Sequence, residues 1–212
     1  MKGLRDQLRP LPLKGKIEYL RDYYSFHFIA AIVVIIFLVV GIHSFINHPK
    51  ELLAIRVIGT SVTDEQTKKL ENNLDKLLVD PSKKEKLSVY GINTSEASGN
   101  SDSFGKIQKL QAEIAAKAVD VLLVDEETFQ QFNKDGSLYD LRKVKGLKLN
   151  MGKTFVPQKN SSKITGIDVS DVSDFSPIVN QTDKPLILAV LANTERIKEI
   201  QKFVGVLNHK KM

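Results

Sequence analysis

Apolar positions occur in this chain first as an unbroken block and only later as periodic ones. Phe28–Ile42, FIAAIVVIIFLVVGI, runs for fifteen positions without a charged side chain. At about 1.5 Å of rise per residue the block covers roughly 22 Å, and extending it to Ser25–Ile46 gives about 33 Å, enough for a hydrocarbon core of roughly 30 Å. His27, His43 and Ser44 stand near the ends, where polar atoms reach the headgroups. The pattern predicts a transmembrane helix over residues 25–47, a cytoplasmic segment over 1–24, and an outer domain over 48–212. Within the leading segment, Ile17, Leu20 and Tyr24 fall at helical spacing and predict a short interfacial helix.

Beyond the block the pattern alternates between strand and helix. Leu52–Gly59 reads as a strand. Thr63–Val79 reads as a helix capped by Thr63 with Gln66 three residues on, carrying Leu70, Leu74, Leu77 and Leu78 on one face. Lys86–Ile92 is a second strand, Asn93–Ser103 a Ser/Asn/Gly-rich loop, and Phe104–Ala118 a helix on Ile107, Leu110, Ile114 and Ala118. It leads into Val119–Val124, a strand apolar enough to be buried on both faces except at Asp120. Asp125 caps a short helix, Glu126–Asn133, bearing Phe129 and Phe132 and stopped by Asp135-Gly136. Ser137–Lys163 is weakly patterned, Ile164–Val169 and Leu186–Ala192 read as strands around a turn-rich stretch, and Thr194–Leu207 closes the chain as a helix. The fold class expected is α/β, one extracytoplasmic layer domain with a mixed sheet behind a transmembrane helix.

Charge orients the span. Lys2, Arg5, Arg9, Lys14, Lys16 and Arg21 precede it, whereas only Lys50 and Arg56 follow closely, which places the N-terminus in the cytoplasm and the C-terminal domain outside the cell. Tyr19, Tyr23 and Tyr24 supply an aromatic belt on the inner side. A cleaved signal peptide would need a shorter leader and a better cleavage site than Ile42-His43-Ser44. A buried core helix would leave the basic and aromatic flanks without a purpose. Residues 1–50 hold seven basic and three acidic side chains and residues 51–212 hold twenty-four and twenty-two, so the excess of positive charge belongs mainly to the segment that meets anionic lipid. The expected partners are a lipid bilayer and a membrane protein, with no nucleic acid. The absence of cysteine excludes disulfides, thiolate metal sites, cysteine nucleophiles and a lipidated cysteine anchor, and suits a Gram-positive surface.

Two segments carry a resemblance. Val119–Leu141, VDVLLVDEETFQQFNKDGSLYDL, and Leu186–Leu207, LILAVLANTERIKEIQKFVGVL, resemble parts of the extracellular solute-binding proteins of bacterial ABC importers. The first has the buried strand ending in Asp, the short helix with paired aromatics and the Gly-x-Leu-x-Asp-Leu exit of that family. Because residues 51–212 have room for about one of the two lobes of such a protein, the resemblance implies a single lobe of a periplasmic-binding-protein-like fold. The opening KIEYLRDYYSFHFIAAIVVIIFLVVGIHSF looks like the start of small single-span membrane proteins of Firmicutes.

Enzymatic motifs are missing: there is no Gly-x-Ser-x-Gly, no phosphate-cradling Gly-rich loop with Lys-Ser/Thr, and no His-Glu-x-x-His. Asp168, Asp171 and Asp174 are weak candidates for a cation, but their spacing lacks the alternate ligands, central Gly and twelfth-position Glu of a calcium loop, so no metal and no cofactor are expected. Open α/β sheets bind ligands beyond the carboxyl ends of their strands, which makes Ser95, Asp125 and Glu126 the candidate ligand residues. The function expected is a non-enzymatic accessory module that docks on a transporter or envelope complex through Asn93–Ser103 and Ser137–Lys163. The alternative is a small-ligand receptor, and an enzyme ranks third. A receptor should show a concave pocket with converging polar groups at the strand ends, a docking module a flat apolar patch.

Overall fold

The computed structural model describes residues 12, 26–27, 29–43, 49–59, 62–80, 82–94, 101–149, 152–157, 162–179 and 184–209. The chain forms two compact units, Met1–His48 and Pro49–Met212. In the first, residues 26–27 and 29–43 are helical (α1, residues 29–43), and every described residue of this helix is exposed. Residues 25, 28 and 44–47 of the expected span, and the whole of the expected interfacial helix, lie outside the described residues. Among the described residues no helix is long and apolar enough to cross a membrane.

The second unit is a mixed α/β domain on a six-stranded sheet. Its elements in chain order are β1 (Lys50–Gly59), α2 (Asp64–Leu78), β2 (Glu85–Asn93), α3 (Ser101–Ala115), β3 (Val121–Val124) and α4 (Glu126–Lys134). Then come β4 (Thr154–Phe155), β5 (Gly166–Asp168), α5 (Ser176–Val179), β6 (Ile187–Val190) and α6 (Ile197–His209). The strand order is β2-β1-β3-β6-β5-β4. The first three strands are parallel and the last three antiparallel to their neighbours, so the sheet changes character between β3 and β6.

Period-2 alternation sorts the core into two layers. Leu53, Ile55, Val57, Val121, Leu123, Leu188 and Val190 face one way and pack with Leu70 and Leu74 of α2, Ile178 of α5, and Ile200, Phe203, Val204 and Leu207 of α6. Ile58, Leu122, Val124, Ile187 and Ala189 face the other way and pack with Leu110 of α3 and Phe129 of α4. Local signals set the helix ends. Thr63 and Gln66 form the reciprocal capping box, and Asp125 accepts the Thr128 N–H. Gly136 follows α4 at φ +70°, a conformation that costs glycine nothing.

Four expectations are corrected. Ser101–Ser103 are the first turn of α3 rather than loop, and residues 95–100 lie outside the described residues. The weakly patterned stretch contains a 3-10 turn at Leu141–Lys143 and the edge strand β4. The turn-rich stretch contains a 3-10 turn at Ser173–Phe175 and the short helix α5, whose Phe175 and Ile178 are core residues. The closing helix starts at Ile197, because Thr194 and Arg196 are committed to Asp120.

Asp120 is a fully buried carboxylate just before β3. It accepts the Ala54 N–H at 2.8 Å, the Thr194 hydroxyl at 2.5 Å and the Arg196 guanidinium at 2.7 Å. Arg196 also reaches Glu51 at 3.4 Å. This network ties β1, β3 and the approach to α6 together at the amino ends of the parallel strands.

Candidate functional site

After β1 the chain turns to α2 on one face of the sheet, and after β3 it turns to α4 on the other. Adjacent parallel strands whose connections leave in opposite directions define a switch point, where a crevice opens beyond the carboxyl ends. Gly59 and Asp125 mark it. A cleft of about 540 Å³ lies there between α3 and α4. A second, water-sized recess of about 20 Å³ lies toward the α2 side, and Asp125 lines both.

The cleft has an apolar floor and two unlike walls. Ile58 and Ile92 come up from β1 and β2, with Thr94 at the end of β2. The α3 wall is Ile107, Leu110, Gln111 and Ile114, a stripe at spacings of three and four. The α4 wall is Thr128, Gln131, Phe132 and Asp135, a second stripe, with Asp125 and Glu127 at its start.

Each wall is anchored independently of the cleft. Arg56, buried on β1, donates to Glu113 of α3 at 2.9 Å, and the Asn193 amide donates to the Ile114 carbonyl at 2.6 Å. On α4, Phe129 is fully buried and packs at 5.3 Å between ring centroids against Phe155. Asn133 accepts the Thr165 hydroxyl at 2.7 Å and donates to the Val156 carbonyl at 3.1 Å. Buried and part-buried contacts outside the cleft therefore set the geometry of both walls.

The structure places the expected residues unequally. Asp125 lines the cleft at the start of α4, where its carboxylate accepts the Thr128 N–H at 2.9 Å and so also caps the helix. Glu126 is exposed and lines neither recess; Glu127, one residue on, lines the cleft. Ser95 lies outside the described residues, one position past Thr94. Asp168 accepts the N–H and hydroxyl of Ser170 at 2.9 and 2.6 Å and closes a turn, Asp171 is exposed, and Asp174 is buried in a 3-10 turn. Among the described residues no three His, Asp or Glu side chains come together as a metal site.

The sequence places Ile107, Leu110 and Ile114 on one helix face without assigning that face to a site, because periodicity marks an apolar face without saying what covers it. Ile107 and Ile114 are half-buried and line open space, as does Phe132. The recurrence of Thr128, Phe132 and Asp135 on the face of α4 turned away from Phe129 and Asn133 was the available signal. Compared with known proteins, the chain matches no family model, no curated protein and no solved structure.

Proposed function

We propose that this chain is a single-span membrane protein, N-terminus cytoplasmic, whose outer domain is a non-enzymatic receptor for a small ligand held between α3 and α4. The observation that carries the reading is the 540 Å³ cleft with its apolar floor and polar wall beyond the strand ends. Its size lies in the range of small-molecule sites, roughly 300–1,000 Å³. Among the described residues the lining offers carboxylates, amides and threonine hydroxyls without the histidine, lysine or arginine that acid–base chemistry pairs with them, which favours binding over turnover.

The membrane anchor is supported by composition together with exposure. The described residues of α1 include nine exposed Ile, Val, Leu and Phe side chains in the run Ile32–Val40, a surface that water does not favour. The order β2-β1-β3 around a switch point supports reading the domain as resembling one lobe of a solute-binding protein. Docking on a membrane complex through a flat apolar patch has less support. Among the described residues of the second unit, only Tyr90 and Val156 are large hydrophobics left exposed, at 52% and 44%.

The test is to purify the full-length protein from its native membrane, release bound small molecules by denaturation and identify them by mass spectrometry. The control is a Gln111→Trp/Gln131→Trp variant, in which two exposed positions on facing walls fill the cleft without touching the core. A stoichiometric small molecule present in the wild type and absent from the variant supports the receptor. A stoichiometric membrane protein retained by both, with no small molecule in either, overturns it in favour of docking.

A further inference from the structure

The cleft is charged on one wall and with one sign. Asp125, Glu127 and Asp135 line it, and among the described residues no Lys, Arg or His does, in a domain where basic side chains slightly outnumber acidic ones. These carboxylates stand at both ends of the trough. Asp125 is the N-cap of α4 and Asp135 its C-cap, so about ten residues at 1.5 Å set them roughly 15 Å apart along the helix axis. Between them lie Thr128, Gln131 and Phe132, and across from them the apolar stripe of α3.

The start of α4 would ordinarily be where an anion binds, because its first N–H groups point outward. Here the Thr128 N–H is already taken by Asp125, and Glu126 and Glu127 follow in the first turn. The position is thus negative where an anionic ligand would need it positive.

We infer that the ligand is a linear organic dication, an α,ω-diamine whose ammonium groups meet the carboxylates at the two ends of the trough. Its methylenes lie along Ile58, Leu110 and Ile114. The inference rests on the receptor reading above and specifies the ligand class for that same cleft. An apolar body between two charges suits the lining: the methylenes leave water against the floor, while each ammonium keeps a carboxylate partner at a half-open rim.

The experiment uses three probes of one length and different charge: 1,10-diaminodecane, 10-aminodecanoate and decanedioate. Binding is measured by calorimetry to the full-length protein in discs of zwitterionic phosphatidylcholine, with empty discs as the blank. The diamine is expected to bind one to one, roughly ten-fold tighter than the amino acid, and the dianion not at all. Asp135→Asn, at an exposed position, is expected to weaken the diamine about ten-fold and leave the amino acid within two-fold. Equal binding of all three probes, or preference for the dianion, with loss in Gln111→Trp/Gln131→Trp, overturns the dication and leaves the receptor standing. Diamine binding unchanged in the cleft-filled variant places the contact elsewhere and overturns the inference. Failure of every probe overturns it as well, while the identity of the co-purified molecule decides the receptor separately.

Discussion

The Asp75 carboxylate accepts the backbone N–H of Leu87 at 3.2 Å, and Glu71, one turn earlier on α2, accepts that of Val89. Residues i and i+4 of a helix rise about 6 Å, close to the roughly 6.6 Å between i and i+2 of a strand, so two carboxylates match two outward N–H groups. β2 is an edge strand, and such edges recruit other strands unless they are covered. Replacing both residues, Glu71→Ala with Asp75→Ala, is expected to cost about 1–3 kcal/mol in urea unfolding and to bring concentration-dependent self-association in sedimentation velocity. Burial, then the neighbouring Asp75 charge, raises the Glu71 pKa above its ordinary 4.5. A raised carboxyl binds its proton more tightly when folded, so its contribution is fully present below about pH 4.5 and lost as pH rises through the folded value. Glu71→Gln keeps the acceptor and should flatten that part of the stability profile.

Asp140 behaves in the opposite sense. The Arg142 guanidinium holds its carboxyl well below the usual 3.8, assisted by the N–H groups of Ile164 and Arg142 and opposed by burial. A depressed carboxyl contributes stability above its unfolded value, and that contribution is lost as pH falls through the folded one. The wild type should lose stability progressively below about pH 4, and Asp140→Ala should remove about 2 kcal/mol at neutral pH while flattening the acid limb. Chemical denaturation at stepped pH values reads both.

Asp120 joins three segments that are distant in sequence. Asp120→Ala leaves Arg196 without its closest carboxylate and the Ala54 N–H without its acceptor, at an expected cost of about 3–5 kcal/mol. Thr194→Ala removes one hydroxyl from the same network and should cost about 1 kcal/mol. Equal effects from the two substitutions in guanidinium unfolding would contradict a network centred on the carboxylate.

Lys117 ends α3 in the left-handed region, at φ 58°. Ala118 N–H reaches the Glu113 carbonyl at 2.8 Å and Lys117 N–H the Ile114 carbonyl at 3.0 Å, the paired bonds of a glycine-type helix stop built around a lysine. Its contact with Glu195 at 2.6 Å joins two exposed side chains and is worth little. Lys117→Gly is expected to stabilise the domain by about 0.5–1 kcal/mol, visible as a rise in Tm.

What could be read along the chain was local, and what could not was held by distant partners. Thr63 with Gln66, Asp125 as a cap and Gly136 as a stop are each decided within four residues, and each was legible. β4 is two residues long and exists through its pairing with β5. Asp120 reads as an interruption in an apolar strand until Ala54 and Arg196 are brought to it from 66 and 76 residues away. At the site, Asp125 followed from the rule that ligands sit beyond strand ends, while Glu126 and Glu127 differ by one residue, a turn of about 100° on the helix. Asp135 was read as a helix stop, and its place in the cleft depends on how α3 lies opposite.

β6 is the last strand in the chain but occupies the fourth place in the sheet, between β3 and β5. During synthesis β1, β2 and β3 can pair as soon as residue 124 is made, yet Val121–Val124, apolar throughout, must wait some sixty residues for Ile187–Val190 to cover its other edge. β4 and β5 have no route to the rest of the sheet in the meantime. Assembly is therefore completed from the middle, with the final strand acting as the keystone, and a chain cut short before residue 187 would hold a half-sheet whose most hydrophobic edge stays open.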